Sequence, residues 1–152
     1  MNVPLPTDTS DFIEAVARLM IPWGIPATTA RLYGLLLVCA APVSLDEIAA
    51  ALAVSKSGAS VAARQLEAMQ LALRHGERGS RRVRYEASDR YEGVVAAQNQ
   101  SVRDLAELIA SRGLAVSKGP VAARLDEMVA FYTAMCDTRD AALRDWRARR
   151  KG

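Results

Sequence analysis

The residues best suited to chemistry in this sequence are cations. Arg78, Arg81, Arg82 and Arg84 fall within seven residues, between two short stretches that alternate apolar and polar side chains. Guanidinium groups at that density suit a polyanion, because each planar fork can bond a phosphate through paired N–H groups. A charge run is also a common way to keep a surface solvated, so its place in the fold has to decide. Arg74, His75 and Glu77 stand just before the run, and Glu77 would brace a neighbouring arginine or stay in solvent. Upstream, Ser55, Lys56, Ser57, Ser60, Val61 and Arg64 form a second group, small and polar with two cations.

Other chemistry is poorly supplied. The sequence has one histidine, no nucleophile motif, no glycine-rich phosphate loop after a strand and no carboxylate cluster, so no enzyme is expected. Two cysteines, Cys39 and Cys136, make neither a disulfide scaffold nor, with His75 alone, a metal site; no cofactor and no metal is expected. Neither thiol is placed like an oxidant sensor, since Cys39 lies in an apolar run and Cys136 beside the Asp137 carboxylate. No basic segment followed by a long apolar run opens the chain, and Leu32–Ala41 is shorter than the about 20 residues a membrane span needs. A soluble, cytoplasmic protein without a membrane partner is the expectation.

The charge is unevenly spread. The formal net charge of the 152 residues is only +3, yet residues 53–86 carry a surplus of four positive charges and residues 144–152 another four. The remainder is therefore acidic, and the two basic regions stand out against it as phosphate-facing candidates. For the terminal cluster the helix dipole offers an equal reason, because cations are favoured at a helix C-terminus.

The elements that must carry these residues are mainly helical. Ala and Leu are abundant and aromatics make up only 5%. After a flexible lead at residues 1–7, Asp8, Thr9 or Ser10 is expected to cap a first helix that ends at Ile21–Pro22, because a residue before proline avoids helical geometry. A second helix covers Ala27 to about Ala40. Ser44-Leu45-Asp46-Glu47 reads as a capping box opening a short third helix, and Ser55 caps a fourth, from Lys56 to about Gln70. Two helices joined by so short a turn form a helix-turn-helix. Leu71, Leu73, Val83 and Tyr85 then alternate at strand spacing around the basic loop, which makes a hairpin, the wing. Two long helices follow, the first from about Ser88 to Arg112, expected to be broken by Gly113 and the Ser117-Lys118-Gly119-Pro120 stretch, and the second from Pro120 onward. The fold class is mainly α with a small β-hairpin wing, a winged helix-turn-helix with long dimerisation helices. Three regions are expected: residues 1–26, an N-terminal helix contributing to a dimer interface; 27–87, the DNA-binding winged helix; and 88–152, a helical dimerisation region.

Turning each residue of the fourth helix by about 100° puts Ala59, Ala62, Ala63, Leu66 and Met69 on one face and Ser57, Ser60, Val61 and Arg64 on the other. A helix that enters a major groove needs this division, although ordinary amphipathicity produces it too. The arginine hairpin at the distance of a wing favours nucleic acid, with phosphate and minor-groove contacts from Arg74, Arg78, Arg81, Arg82 and Arg84.

The stretch Gly24–Tyr85 resembles the MarR superfamily of regulators, and more closely its GbsR-type branch. The resemblance rests on Gly24-Ile25-Pro26, Ala30–Leu36, Ser44–Ala49, Val54–Ser60 and His75–Arg78, and it covers about 60 of the 152 residues. It implies a homodimeric winged-helix regulator of transcription, often a repressor, that binds double-stranded DNA and in some members answers to a small-molecule effector. Two positions depart from the branch, Ala30 in place of glycine and Met69-Gln70 in place of a Trp-Gly pair, and its choline-like effector is not carried over. Trp23, Tyr33 and Tyr132, with Phe12, Met20 and Phe131, are the candidates for lining an effector pocket, although aromatic residues more often pack a core or a dimer contact. The competing function is a winged helix that binds another protein and has no sequence-specific contact with DNA.

Overall fold

Helix α2 (Ala27–Val38) is the centre of the first half of the chain, and the other elements are arranged by what it can accept. Leu32, Leu35 and Leu36 are buried, joined in one apolar core by Ile13 of α1 (Thr7–Met20), Ile48 and Leu52 of α3 (Leu45–Leu52), and Leu66 of α4 (Lys56–Ala68). A three-stranded antiparallel sheet adds Ala72 and Tyr85 to that core. Its strands are β1 (Val43–Ser44), β2 (Ala72–Gly76) and β3 (Val83–Ala87), in the order β1-β3-β2. The fold is a winged helix-turn-helix. This computed structural model describes residues 5–76 and 78–151. The beginning of the lead, residues 1–4, and the expected brace at Glu77 lie outside the described residues.

Contacts divide the chain into two units, one up to Tyr91 and one from Glu92. The second contains α5 (Tyr91–Leu108, starting at the boundary), a π-helical turn at Ile109–Gly113, α6 (Leu114–Val116) and α7 (Gly119–Arg150). Polar contacts join α5 to α7. The buried Asn99 donates through Nδ2 to the Cys136 carbonyl at 3.0 Å and to Asp140 Oδ1 at 2.6 Å. Arg103 reaches Asp137 and Asp140 at 2.9 and 2.8 Å, and Arg150 reaches Glu92 at 3.1 Å. These pairs run in opposite sequence order along the two helices, so the helices are antiparallel. The Asn99 amide, then Arg103, hold the Asp140 carboxyl below the usual carboxylate range. Among the described residues no helix is long and apolar enough to cross a membrane.

Several local expectations give way to neighbouring geometry. No side chain caps α1, which starts at Thr7 because the extended backbone of Pro6 turns directly into the helix and its carbonyl accepts from the Ser10 N–H. Ile21 is helical despite preceding proline, and the chain passes through a 3-10 turn at Ile21–Trp23. Pro22 sits in the first turn, where its missing N–H costs nothing, and Gly24 ends the turn at φ 86°. Gly113 does not break the first long helix; it is helical, and the chain leaves helical geometry only at Ser117, in the expected Ser117–Pro120 stretch.

Three backbone positions constrain the first unit. A side chain at Gly34 would stand 3.0 Å from the Ile13 Cα and 3.3 Å from its carbonyl oxygen, so the α1–α2 crossing depends on glycine there. Ala53, in the turn between α3 and α4, adopts φ 53°, and Gln70, where the resembling branch has glycine, adopts φ 60°. Left-handed geometry costs a side-chain-bearing residue about 1–2 kcal/mol. Gly34→Ala is therefore expected to lose about 1–3 kcal/mol through the backbone clash. Ala53→Gly and Gln70→Gly are each expected to gain roughly 0.5–1 kcal/mol, relief of strain exceeding the added freedom of the unfolded chain. Thermal unfolding of the three variants checks both signs.

Candidate nucleic-acid interface

The inner face of α4 is built from small residues. Ala59, Ala62, Ala63 and Leu66 are buried. The helical period then turns Ser57, Val61 and Arg64 to solvent, with Ser60 half-buried between them. Ser55 starts the helix: its hydroxyl accepts from the Gly58 N–H at 3.0 Å and lies 3.0 Å from the Ser57 hydroxyl. Its capping role therefore occupies it. Arg64 donates from Nε to the Ser60 carbonyl at 3.3 Å, which lays its stem along the helix.

The wing is anchored at its base. Glu47 closes the capping box of α3, accepting from the Ser44 N–H at 2.7 Å while the Ser44 hydroxyl accepts from the Glu47 N–H at 3.2 Å. The same carboxylate takes Arg84 Nη1 at 3.2 Å, and that nitrogen also reaches the Pro42 carbonyl at 3.2 Å. The backbone repeats the link, since Val43 and Ser44 pair with Tyr85 and Arg84. Bonds from Ser44, followed by the charge of Arg84, hold the Glu47 carboxyl below the usual carboxylate range. His75 pairs across the hairpin with Arg84 in the ladder and bonds Glu86 through its ring at 2.7 Å.

Beyond this anchor the arginines divide. Arg78, Arg81 and Arg82 are exposed on the connection between β2 and β3, and among the described residues no hydrogen bond or ion pair engages their guanidinium groups. Arg81, Arg82 and Arg84 line a cleft of about 380 Å³ together with Ser44, Asp46 and Lys56. Lys56 pairs with Asp46 at 3.0 Å, so the first cation of α4 is partly neutralised by α3. The structure thus gathers Lys56 with the wing arginines. Ser55, Ser57 and Val61 line a different, open groove of about 600 Å³ with Thr28 and Gln65. Arg74 is exposed beside Glu67, Gln70 and Arg90, away from both.

Sequence reasoning missed Asp46, Thr28 and Gln65. The rotation that selected Val61 and Arg64 also turns Gln65 outward, one helical turn after Val61, so Gln65 was within reach of the same count. Asp46 was assigned to its helix start alone. Among the effector candidates, Trp23 is 75% exposed and Phe12 is also exposed, Met20 is buried against Ala17 and Ala30, and Tyr33 is half-buried, which pushes its phenol up. On α7, Tyr132 packs against Phe131 with ring centroids 5.8 Å apart. Burial, then Glu47, pushes the Cys39 thiol up, and Cys136 is buried. No group of three or more metal-ligating side chains occurs among the described residues.

A solved structure described as a transcriptional regulator matches this chain with a TM-score of 0.79 and 26% sequence identity, over 93% of this chain and 99% of its own. No protein-family model and no curated protein matches the sequence.

Because Glu47 carries both the cap and the wing anchor, Glu47→Gln is expected to lower stability at neutral pH by roughly 0.5–1 kcal/mol, the scale of a solvent-screened contact. A lowered carboxyl pKa stabilises the fold above the unfolded carboxylate range, and that contribution is lost as pH falls through the folded value. The difference in Tm between wild type and variant should therefore close on acidification, as a series of melts across that range would show.

Proposed function

We propose that this protein is a sequence-specific, duplex-DNA-binding transcriptional regulator of the MarR superfamily, close to its GbsR-like branch, acting as a homodimeric repressor. One observation carries the reading. The exposed strip of α4 stands beside a cleft lined by Lys56, Arg81, Arg82 and Arg84, so a surface shaped for a groove adjoins a surface charged for phosphate. The structural likeness to a transcriptional regulator supports it over nearly the whole chain.

In this reading α4 enters the major groove with Ser57, Ser60, Val61 and Arg64 toward base edges, which small side chains permit by letting the helix backbone approach. The wing lies on the flanking backbone, where Arg78, Arg81 and Arg82 meet phosphates and Arg84 keeps the hairpin aligned. The second unit, with α1, joins two copies about a two-fold axis, setting the two α4 helices roughly 34 Å apart, one turn of B-DNA. Exposed apolar residues on these helices, among them Leu19, Leu105, Leu108, Phe131 and Met135, are what a second copy would cover. A small-molecule effector that changed the spacing would release DNA, because both half-sites could no longer engage together; Trp23, Tyr33 and Tyr132 are its candidate contacts. The work of such a protein is binding, in the cytoplasm, without a cofactor.

Fluorescence anisotropy with the duplex upstream of the protein's own gene, at several salt concentrations, tests the proposal. Tight binding that exceeds binding to scrambled duplex and falls steeply with salt is expected. Arg81→Ala with Arg82→Ala should weaken binding to every sequence and flatten the slope of log K against log salt by about 0.9 for each phosphate that is no longer neutralised. Full affinity of that double variant at low and high salt would remove the wing from the interface. Absence of duplex binding even at low salt would favour a protein-binding winged helix.

A further inference from the structure

The open groove beside α4 contains a side chain whose orientation is already set. Thr29 of α2 is 1% exposed, and its hydroxyl donates to Gln65 Oε1 on α4. A threonine inside a helix ordinarily turns its hydroxyl back to a carbonyl of its own helix; here the described bond crosses to the neighbouring one. Gln65 is half-buried and lines the groove with Ser57 and Val61. Its Oε1 is turned inward by Thr29, and its Nε2 has no hydrogen-bond partner among the described residues. The amide therefore shows the groove an NH₂ group.

That polarity has a consequence for base recognition. A glutamine that reads adenine uses both ends of its amide, accepting from N6 and donating to N7. An amide with its oxygen held inward offers donors only. In the major groove guanine presents N7 and O6 and thymine presents O4, all acceptors, whereas adenine sets its N6 donor beside N7 and cytosine offers N4 as a donor, each of which an inward-held amide meets with a like group. We propose, on the basis of the DNA-binding reading above, that Gln65 is a specificity-determining residue of α4 and that Thr29 is its positioning residue. The pair selects a keto base, guanine or thymine, at one position of each half-site. Arg64 has no comparable constraint, since its only described bond goes to a carbonyl of its own helix. Fixing Gln65 before binding removes an ordering cost that a free side chain would bear on the DNA.

The test is selection of bound duplexes from a randomised pool by the full-length protein, with wild type, Gln65→Ala, Thr29→Val and Thr29→Ser run in parallel. Wild type should enrich a motif with guanine or thymine at one position of each half. Gln65→Ala should lose that preference, about tenfold against adenine, the scale of one good base contact, with the other positions unchanged. Thr29→Val keeps the buried shape but removes the donor, so the amide can turn and adenine should be admitted at the same position, while affinity for non-specific duplex stays as in wild type. Thr29→Ser restores the donor and should restore the wild-type motif; melting curves establish that each variant is folded. If Gln65→Ala enriches the wild-type motif unchanged, Gln65 is not a reader. If Thr29→Val keeps the keto preference, Thr29 does not orient it. A wild-type protein that enriches no motif would overturn the regulator reading and this inference with it, whereas a wild-type motif indifferent to Gln65 would overturn this inference alone.

Discussion

Helix α2 is covered on two sides by helices that approach it through residues with almost no side chain. On one side Gly34 allows the backbone of α1 near Ile13. On the other, α4 presents Ala59, Ala62 and Ala63, all buried. Larger residues at either contact would push a helix outward by the width of the added groups, since interiors have no spare volume to absorb them. The depth at which α4 sits, and hence how far Ser57, Val61 and Arg64 project, follows from those alanines. The outer face is a consequence of the inner one, because the helical period leaves the residues between the alanines nowhere else to point.

The wing depends on a second constraint. A hairpin of two strands is marginal alone. Here it gains a third strand from Val43–Ser44 and an ion pair from Glu47 to Arg84, both drawn from the start of α3. The residues that begin the helix-turn-helix therefore also fix the base of the hairpin. Arg84, nearest the base, makes the anchor, and the distal Arg78, Arg81 and Arg82 are exposed. Asp46 works in the opposite sense, drawing on Lys56 so that the positive cleft is tempered where α3 and α4 meet.

What was legible in the sequence was whatever one element encodes by itself. The two faces of α4 follow from its period, the capping box from Ser44 and Glu47 three residues apart, and the hairpin from two alternating stretches around glycines and arginines. What was not legible depends on a partner distant in the chain. Strand β1 is two residues long and exists only because β3 offers it a register. Local rules for Asp8 as a cap and Gly113 as a breaker failed where the backbone on one side already supplied or absorbed the required geometry, whereas α1 does end at Met20, beside the expected Ile21–Pro22. Gln65 was visible as a position on α4, but its orientation depends on Thr29, thirty-six residues earlier.

The second unit shows why a winged helix alone does not account for the whole chain. Helix α7 has 32 residues, yet among its described residues only Cys136 and Leu143 are buried, and α5 buries Asn99 and Ala106. Full burial of apolar side chains between them is therefore small. Asn99, Arg103, Asp137 and Asp140 bridge the two helices, and polar contacts of this kind fix register more than they add stability. Val95, Leu105 and Leu108 on α5 and Phe131 and Met135 on α7 meanwhile stand exposed. A pair of helices aligned by polar contacts and apolar on its outside has its alignment decided before its burial is complete. In the proposed dimer that order would matter, because the separation of two α4 helices on DNA would be useful only if each copy presented a surface already in register.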